Sequence, residues 1–315
     1  MGGDRARRVW RQFRGLTGRT APAPPTADAP PAAANAGPRF ATRREALLSL
    51  FDPTGRGLEI GPSYNPLLPK AEGFRVETVD YADQATLRAK YARTGNVDIA
   101  RIEAVDHVTG GAPMSAIIRE RGCYDFIVAS HVIEHTPDLI GFVEDCALLL
   151  KPDGVLALAV PDKRFCFDLL QPITFAGAVL LAHEEKRTRP TAATVFDSVA
   201  YDVLRGGAIG WGEGETAPPT FAASIEAARG VAEAARQPGA YVDVHVWRFT
   251  PASFRLLIED LHGIGALSLR EKAIIPGQGN EFFAALSRDG AGPGLMRDEL
   301  GAQMLRDLAM ALPSP

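Results

Sequence analysis

Residues 124–163 read YDFIVASHVIEHTPDLIGFVEDCALLLKPDGVLALAVPDK, and this stretch sets the architecture. Tyr124 to Ser130 is a near-continuous apolar run, the pattern of a strand covered on both faces of a parallel sheet. Thr136-Pro137 predicts a helix start, with an N-cap and a proline at the first helical position. Ile140, Val143, Ala147 and Leu150 recur on one face of that helix. Lys151-Pro-Asp-Gly154 then turns the chain into a second apolar strand, Val155 to Val160. Strand, helix and strand in this order form a βαβ unit.

Upstream the same alternation repeats. Gly57 to Gly61 is a short apolar strand that ends in a turn-rich stretch, and Arg75 to Asp80 is a second strand. A helix is expected over Asp83 to Arg93, a weaker strand from Ile99 to Val105 ending at Asp106, and a helix over Ala112 to Arg121. Downstream, Thr250-Pro251 opens a helix to about His262. Ala266 to Ile275 and Glu281 to Leu286 lie close enough to pair as a hairpin. The expected fold is α/β: a Rossmann-like, doubly wound, seven-stranded sheet with an antiparallel C-terminal hairpin. Between strand five and Thr250 the fold needs only a short connection, but residues 163–249 are rich in helix formers. A mostly helical insertion at the carboxyl edge of a sheet sits over the ligand crevice, so it is expected to cap the substrate site. An insertion that only packs or dimerises is the alternative.

The division expected is a tail at 1–40, a core at 41–162, the insertion at 163–249, completion of the sheet at 250–288 and a helical tail at 289–315. In the first segment, six arginines (Arg5, Arg7, Arg8, Arg11, Arg14 and Arg19) precede an Ala/Pro-rich stretch. Such a stretch builds no core and reads as a disordered tether, with targeting or anionic-surface binding as the alternative. No apolar run of the secretory type follows the arginines.

The chain has 315 residues, 46% of them apolar and 23% charged, an ordinary globular composition. At this length roughly three quarters of the unfolded surface is buried, so the core needs neither disulfides nor metal staples. Thirty-eight acidic against 34 basic side chains leave a net charge of -4, which gives no bulk affinity for nucleic acid. The longest apolar run, near Phe175 to Ala182, falls well short of the ~18 residues of a membrane span. Cys123, Cys146 and Cys166 are widely spaced and odd in number. They argue against a disulfide framework or a CxxC knuckle and for a reducing, cytoplasmic setting.

The turn after the first strand reads Leu58-Glu59-Ile60-Gly61-Pro62-Ser63-Tyr64-Asn65-Pro66. A dinucleotide fold wants GxGxxG there, and only Gly61 holds its place, which argues against NAD or FAD. No GxxxxGK[ST] is present to make a P-loop. Glu59, an acid inside an apolar strand, must be satisfied either by a ligand ammonium or by backbone amides. Nineteen positions after Gly61, Asp80 ends the second strand, where an acid can hold a ribose diol through two hydrogen bonds. In strand order these features describe a nucleoside site without a pyrophosphate.

With these residues in place, the chain resembles the class I S-adenosylmethionine-dependent methyltransferases. LEIGPSYNP looks like their ExGxGxG loop, with Ser63 and Asn65 where later glycines would stand, and VETVDY like their second strand. ASHVIEH, PDKRFCFD and YVDVHVWRFTP are similar to the type-11 group found beside or fused to glycosyltransferases. The likeness spans Leu58 to Lys163 well and 250–286 loosely. It implies S-adenosylmethionine as cofactor, cradled by Glu59, Gly61, Pro62, Ser63 and Asn65, with Asp80 and Tyr81 at the ribose and Asp106 at the adenine. Ser130 and His131 would lie along the cofactor and His135 near the transferred methyl. It also implies a small-molecule or saccharide acceptor in polysaccharide biosynthesis, and a glycosyltransferase or a second copy as partner.

His131-Val-Ile-Glu134-His135 matches HxxEH, which binds zinc only on a helix, where positions four apart share a face. Here His131 ends a strand and no third ligand is evident, so no metal site is expected. The other reading of Glu134 and His135 is a loop stitch. Asp243, His245 and Trp247 alternate on a strand-like segment and share one face. An imidazole beside an acid is a candidate general base, so His135 and His245 are the catalytic candidates. Asp162, Lys163, Arg164 and Trp247 are expected to meet the substrate, with a solvated charged turn as the alternative for the first three. His183-Glu184-Glu185 reads as a solvated helix face. O-methylation of a sugar or similar hydroxyl is the favoured activity; N-methylation and a non-catalytic scaffold are the alternatives.

Overall fold

The computed structural model describes residues 40–93 and 97–310. The basic and Ala/Pro-rich segment therefore lies almost wholly outside the described residues. Seven strands form one sheet: β1 (Gly57–Ile60), β2 (Val76–Asp80), β3 (His107–Val108), β4 (Tyr124–Ser130), β5 (Leu150–Pro161), β8 (Arg270–Gln278) and β9 (Glu281–Ser287). The remaining strands, β6 (Val203–Leu204) and β7 (Thr220–Phe221), pair with each other in the insertion. The order in the large sheet is β3-β2-β1-β4-β5-β9-β8. Its first five strands are parallel, β9 runs antiparallel to β5, and the edge strand β8 runs antiparallel to β9. This is the doubly wound sheet with an antiparallel end that the sequence predicts.

The period of two explains how one apolar run feeds two cores. Ile127 and Ala129 of β4, Leu156, Leu158 and Val160 of β5, and Phe282, Ala284 and Leu286 of β9 face one side. Phe126 and Val128, Ala157 and Ala159, and Phe283 face the other. Each fully buried phenylalanine contributes about 1.5–3 kcal/mol. Gly57 has no room for a side chain, since a Cβ there would stand 2.0 Å from the Phe126 ring.

On the first side pack α4 (Leu139–Leu149) and α8 (Pro251–Gly263); α1 (Arg43–Leu48) covers the second. The capping box of Thr250 and Ser253 starts α8 where the Thr-Pro pair predicts. The start of α4 differs from expectation: its N-cap is Asp138, whose side chain accepts from the Gly141 amide, and Thr136 lies in the preceding loop. The third strand also differs. Ile99–Arg101 is a 3-10 turn, Ile102 joins a small core with Ala82 and Leu87, and β3 begins only at His107. Short helices α2 (Gln84–Tyr91) and α3 (Met114–Ile117) complete the connections.

The insertion carries α5 (Ala176–Glu184), α6 (Ala192–Tyr201) and α7 (Ile225–Ala235), and α9 (Arg297–Met310) follows the sheet. Residues 241–248 form no strand, where the alternation suggests one. Among the described residues no helix is long and apolar enough to cross a membrane, and the three cysteines are free and buried.

Candidate active site

The parallel strands end on one edge, and two groups of residues gather there. In the first, Gly61 follows β1 at φ +62°, a conformation that glycine adopts without strain. Ser63 follows at φ +49°, left-handed for a residue with a side chain, and its Oγ is buried without a hydrogen-bond partner among the described residues. Beneath them Glu59 Oε1 accepts from the Leu67 amide at 2.7 Å and Oε2 from the Leu68 amide at 3.1 Å. Burial, against the pull of these amides, pushes its pKa up to about 7. Of the two partners open to Glu59 in the sequence, the structure chooses the backbone, and the carboxylate shapes the loop. The Asn65 amide donates to the Pro62 carbonyl at 3.0 Å, closing a turn that leaves Tyr64 and Asn65 exposed.

Asp80 stands at the end of β2, 8% exposed, with Oδ1 accepting from the Tyr81 amide at 2.7 Å; burial raises its pKa. The Tyr81 ring is exposed and carries the Lys90 ammonium 4.9 Å from its centre. Asp106 precedes β3 instead of ending it. Its Oδ2 accepts from the Thr78 amide at 2.7 Å and pairs with the Lys70 ammonium, so that carboxylate is tied to the edge of β2.

The end of β4 meets α1 and the start of β9. Ser130 Oγ accepts from Arg43 Nη2 at 2.8 Å, and Arg43 forks onto Glu281 at 2.6 and 2.8 Å. His131, at φ +54°, places Nε2 2.8 Å from Glu281 Oε2. Burial alone would raise the Glu281 pKa, but Arg43 and His131 hold it down at about 2. A left-handed glycine turn, an orphaned serine hydroxyl and a carboxyl at the next strand end fit the methionine and ribose parts of S-adenosylmethionine.

The second group lies one loop further on. Glu134 sits on the 3-10 turn Ile133–His135, 1% exposed, and neither carboxylate oxygen has a hydrogen-bond partner among the described residues. Leaving one such buried group unsatisfied costs about 1–3 kcal/mol, more when it is charged. Its Oε1 faces three imidazoles, His131 Nδ1 at 3.6 Å, His135 Nε2 at 3.8 Å and His245 Nε2 at 3.9 Å. His245 Nδ1 is 2.5 Å from Asp168 Oδ2, and Arg248 Nε donates to Asp168 Oδ1 at 3.3 Å. Burial opposes the charge on Asp168, but His245 and Arg248 hold its pKa below the usual carboxylate range. An ionised carboxylate only accepts, so the His245 Nδ1 donates to Asp168. His135 Nδ1 stands 2.9 Å from Asp243 Oδ1. Burial lowers the His135 pKa, but Asp243 and Glu134 outweigh it and push it up to about 9. The two rings meet edge to face, 4.7 Å between centres.

The backbone holds this group together. The Glu134 carbonyl accepts from the Val246 and Trp247 amides at 2.7 and 3.1 Å, and the Trp247 indole donates to the Thr136 carbonyl at 2.6 Å. Trp247 is thus buried as a stitch between two loops, not displayed to a substrate. Asp162, Lys163 and Arg164 are also buried. Arg164 spans Asp162 and Asp307, and Lys163 Nζ donates to the Leu169 carbonyl at 2.8 Å. Buried charges must find partners inside the chain, which is why this turn is not a solvated one. Sequence reasoning missed Arg43, Asp168 and Glu281. PDKRFCFD includes Asp168, but its pairing with His245, 77 residues away, has no local signal.

A doubly wound sheet with a nucleoside-type edge and no pyrophosphate loop defines a class I methyltransferase architecture. A methyltransferase-domain family model matches residues 33–211, and the chain belongs to that family, whose domain takes S-adenosylmethionine as methyl donor. A ubiquinone biosynthesis O-methyltransferase of Xanthomonas campestris pv. campestris is 27% identical over 120 residues, covering 38% of this chain and 44% of the relative. The chain thus spans less than half the length of the curated relatives that it matches. Among solved structures, a SAM-dependent methyltransferase from Thermotoga maritima is similar at 20% identity and TM-score 0.28, over 38% of this chain and 52% of that one. The trans-methyltransferase CalH, bound to S-adenosylhomocysteine, is similar at 14% identity and TM-score 0.36, over 77% and 53%. The family match carries the assignment.

Proposed function

We propose that the chain transfers a methyl group from S-adenosylmethionine to a hydroxyl of a small polar acceptor, a sugar or glycoconjugate. The observation that carries this reading is the buried Asp168–His245 pair, whose free Nε2 faces Glu134 one loop beyond the cofactor edge. When bound, the cofactor supplies an already activated methyl on a sulfonium. The work left to the chain is alignment, exclusion of water and removal of a proton. Gly61, Pro62, Ser63 and Asn65 cradle the methionine part, and Asp80 and Tyr81 meet the ribose. Asp106 borders the adenine, and Ser130 and His131 lie along the ligand.

His245 Nε2 takes the acceptor proton, a function worth roughly 100- to 10,000-fold in rate. His135, with Nδ1 2.9 Å from Asp243 Oδ1, orients the acceptor oxygen. An amine acceptor needs less of this machinery, and the curated relative is named an O-methyltransferase. The test is incubation of the full chain with nucleotide sugars and methyl-labelled cofactor. Label in at least one sugar product is expected; no transfer to any of them overturns the acceptor class.

A further inference from the structure

We propose that Glu134, His135 and His245 form a binding site for one divalent transition-metal ion, of the zinc type. Their donor atoms lie within 4.8 Å of one another. Both imidazoles present Nε2 to the same oxygen, Glu134 Oε1, at 3.8 and 3.9 Å. Four donors about 2.1 Å from a tetrahedral zinc ion stand ~3.4 Å apart, so the two Glu134–imidazole pairs need to close by about half an ångström and the widest pair by at most about 1.4 Å.

The surroundings repeat the design of metal-bound histidines, in which the second ring nitrogen is held by a carboxylate. Asp168 holds Nδ1 of His245 and Asp243 stands at Nδ1 of His135, so each Nε2 is turned inward. The independent sign of a missing ligand is Glu134, 1% exposed and aimed into the group with both oxygens unpartnered among the described residues. Two imidazoles and one carboxylate favour zinc or iron over magnesium or calcium. His135 is partly exposed, which leaves the fourth position open on that side. Of the HxxEH residues, His131 turns Nε2 to Glu281 and Nδ1 to Glu134 Oε1 at 3.6 Å, and the mutually close donors are completed by residue 245.

The site rests on the reading of this group as the place where the acceptor hydroxyl is activated, and it changes the agent. A hydroxyl bound at the open position loses its proton to solvent water, leaving the oxygen anion on the metal ready for methylation.

The test uses the full chain, stripped with a chelator and titrated with zinc sulfate against a chromophoric zinc indicator. One tight equivalent is expected. Glu134→Gln and His245→Ala should each weaken it at least ~100-fold, and Asp168→Asn by about 10- to 100-fold, the usual loss for an outer-shell partner. His183→Ala, off the site, should bind as the parent does. Should a buried variant fail to fold by circular dichroism, His135→Ala, at a partly exposed position, carries the same test. No stoichiometric zinc, or zinc that survives Glu134→Gln and His135→Ala, overturns the site. Calorimetry with S-adenosylmethionine on the same samples separates the two readings. Zinc without cofactor binding sinks methyl transfer and leaves the metal site standing, whereas cofactor without zinc sinks the metal site alone.

Discussion

The turn after β1 and the loop after β4 leave the same edge of the sheet, but they are built in different ways. The first is local: Gly61, Ser63 and Glu59 lie within five residues, and Glu59 is satisfied by amides eight and nine positions on. The second is assembled from residues 134–135, 168 and 243–248, and its central carboxyl lacks a hydrogen-bond partner among the described residues. A region that satisfies itself holds a ligand by shape and backbone. A region that leaves a buried carboxyl without a hydrogen bond has room for one from a ligand.

That contrast can be broken by experiment. His245→Ala should cut turnover by roughly 100- to 10,000-fold while S-adenosylmethionine affinity by calorimetry stays within about twofold. An equal loss of affinity would mean that the two regions are one site. Glu281 ties His131 of the second loop to Arg43 of α1. Its pKa is depressed, so its contribution to stability is full above about 4.5 and is lost as pH falls towards about 2. Thermal unfolding between pH 5 and 2 should show this loss, at most about 3 kcal/mol, and Glu281→Gln should flatten it. Asp80→Ala should weaken cofactor binding about 10- to 100-fold and leave turnover at saturating cofactor nearly unchanged, the reverse of His245→Ala. Gly61→Ala should cost about 1–2 kcal/mol in a denaturant titration, because its left-handed φ is unfavourable for any side chain.

The same contrast explains what could be read beforehand. Tyr124–Ser130 is a strand from end to end, as its sequence implies, because an apolar run flanked on both sides by strands leaves no other reading. The third strand was misplaced because only two residues pair, while Ile99 and Ile102 serve a satellite core that mimics a strand's apolar signature. The start of α4 moved by two residues, since Thr136 and Asp138 are both good caps and only tertiary contacts choose between them. In the site, Gly61 and Asp80 were visible as local pattern. Asp162, Lys163 and Arg164 were visible as charges, but sequence carries no sign of their burial. Asp168 and Glu281 act on partners 77 and 150 or more residues away, beyond the reach of any motif.

The fork from Arg43 to Glu281 ties residues 238 positions apart across the end of β4. During synthesis β1 to β5 can pair as soon as each parallel strand emerges, but this clamp waits for the last hairpin. Closing so large a loop is among the slower events in folding. A nascent chain arrested before residue 281 would expose the flank of β5 that β9 later covers, an open strand edge able to recruit other chains. The final hairpin therefore governs both when the cofactor edge is completed and how long the growing polypeptide is vulnerable to aggregation.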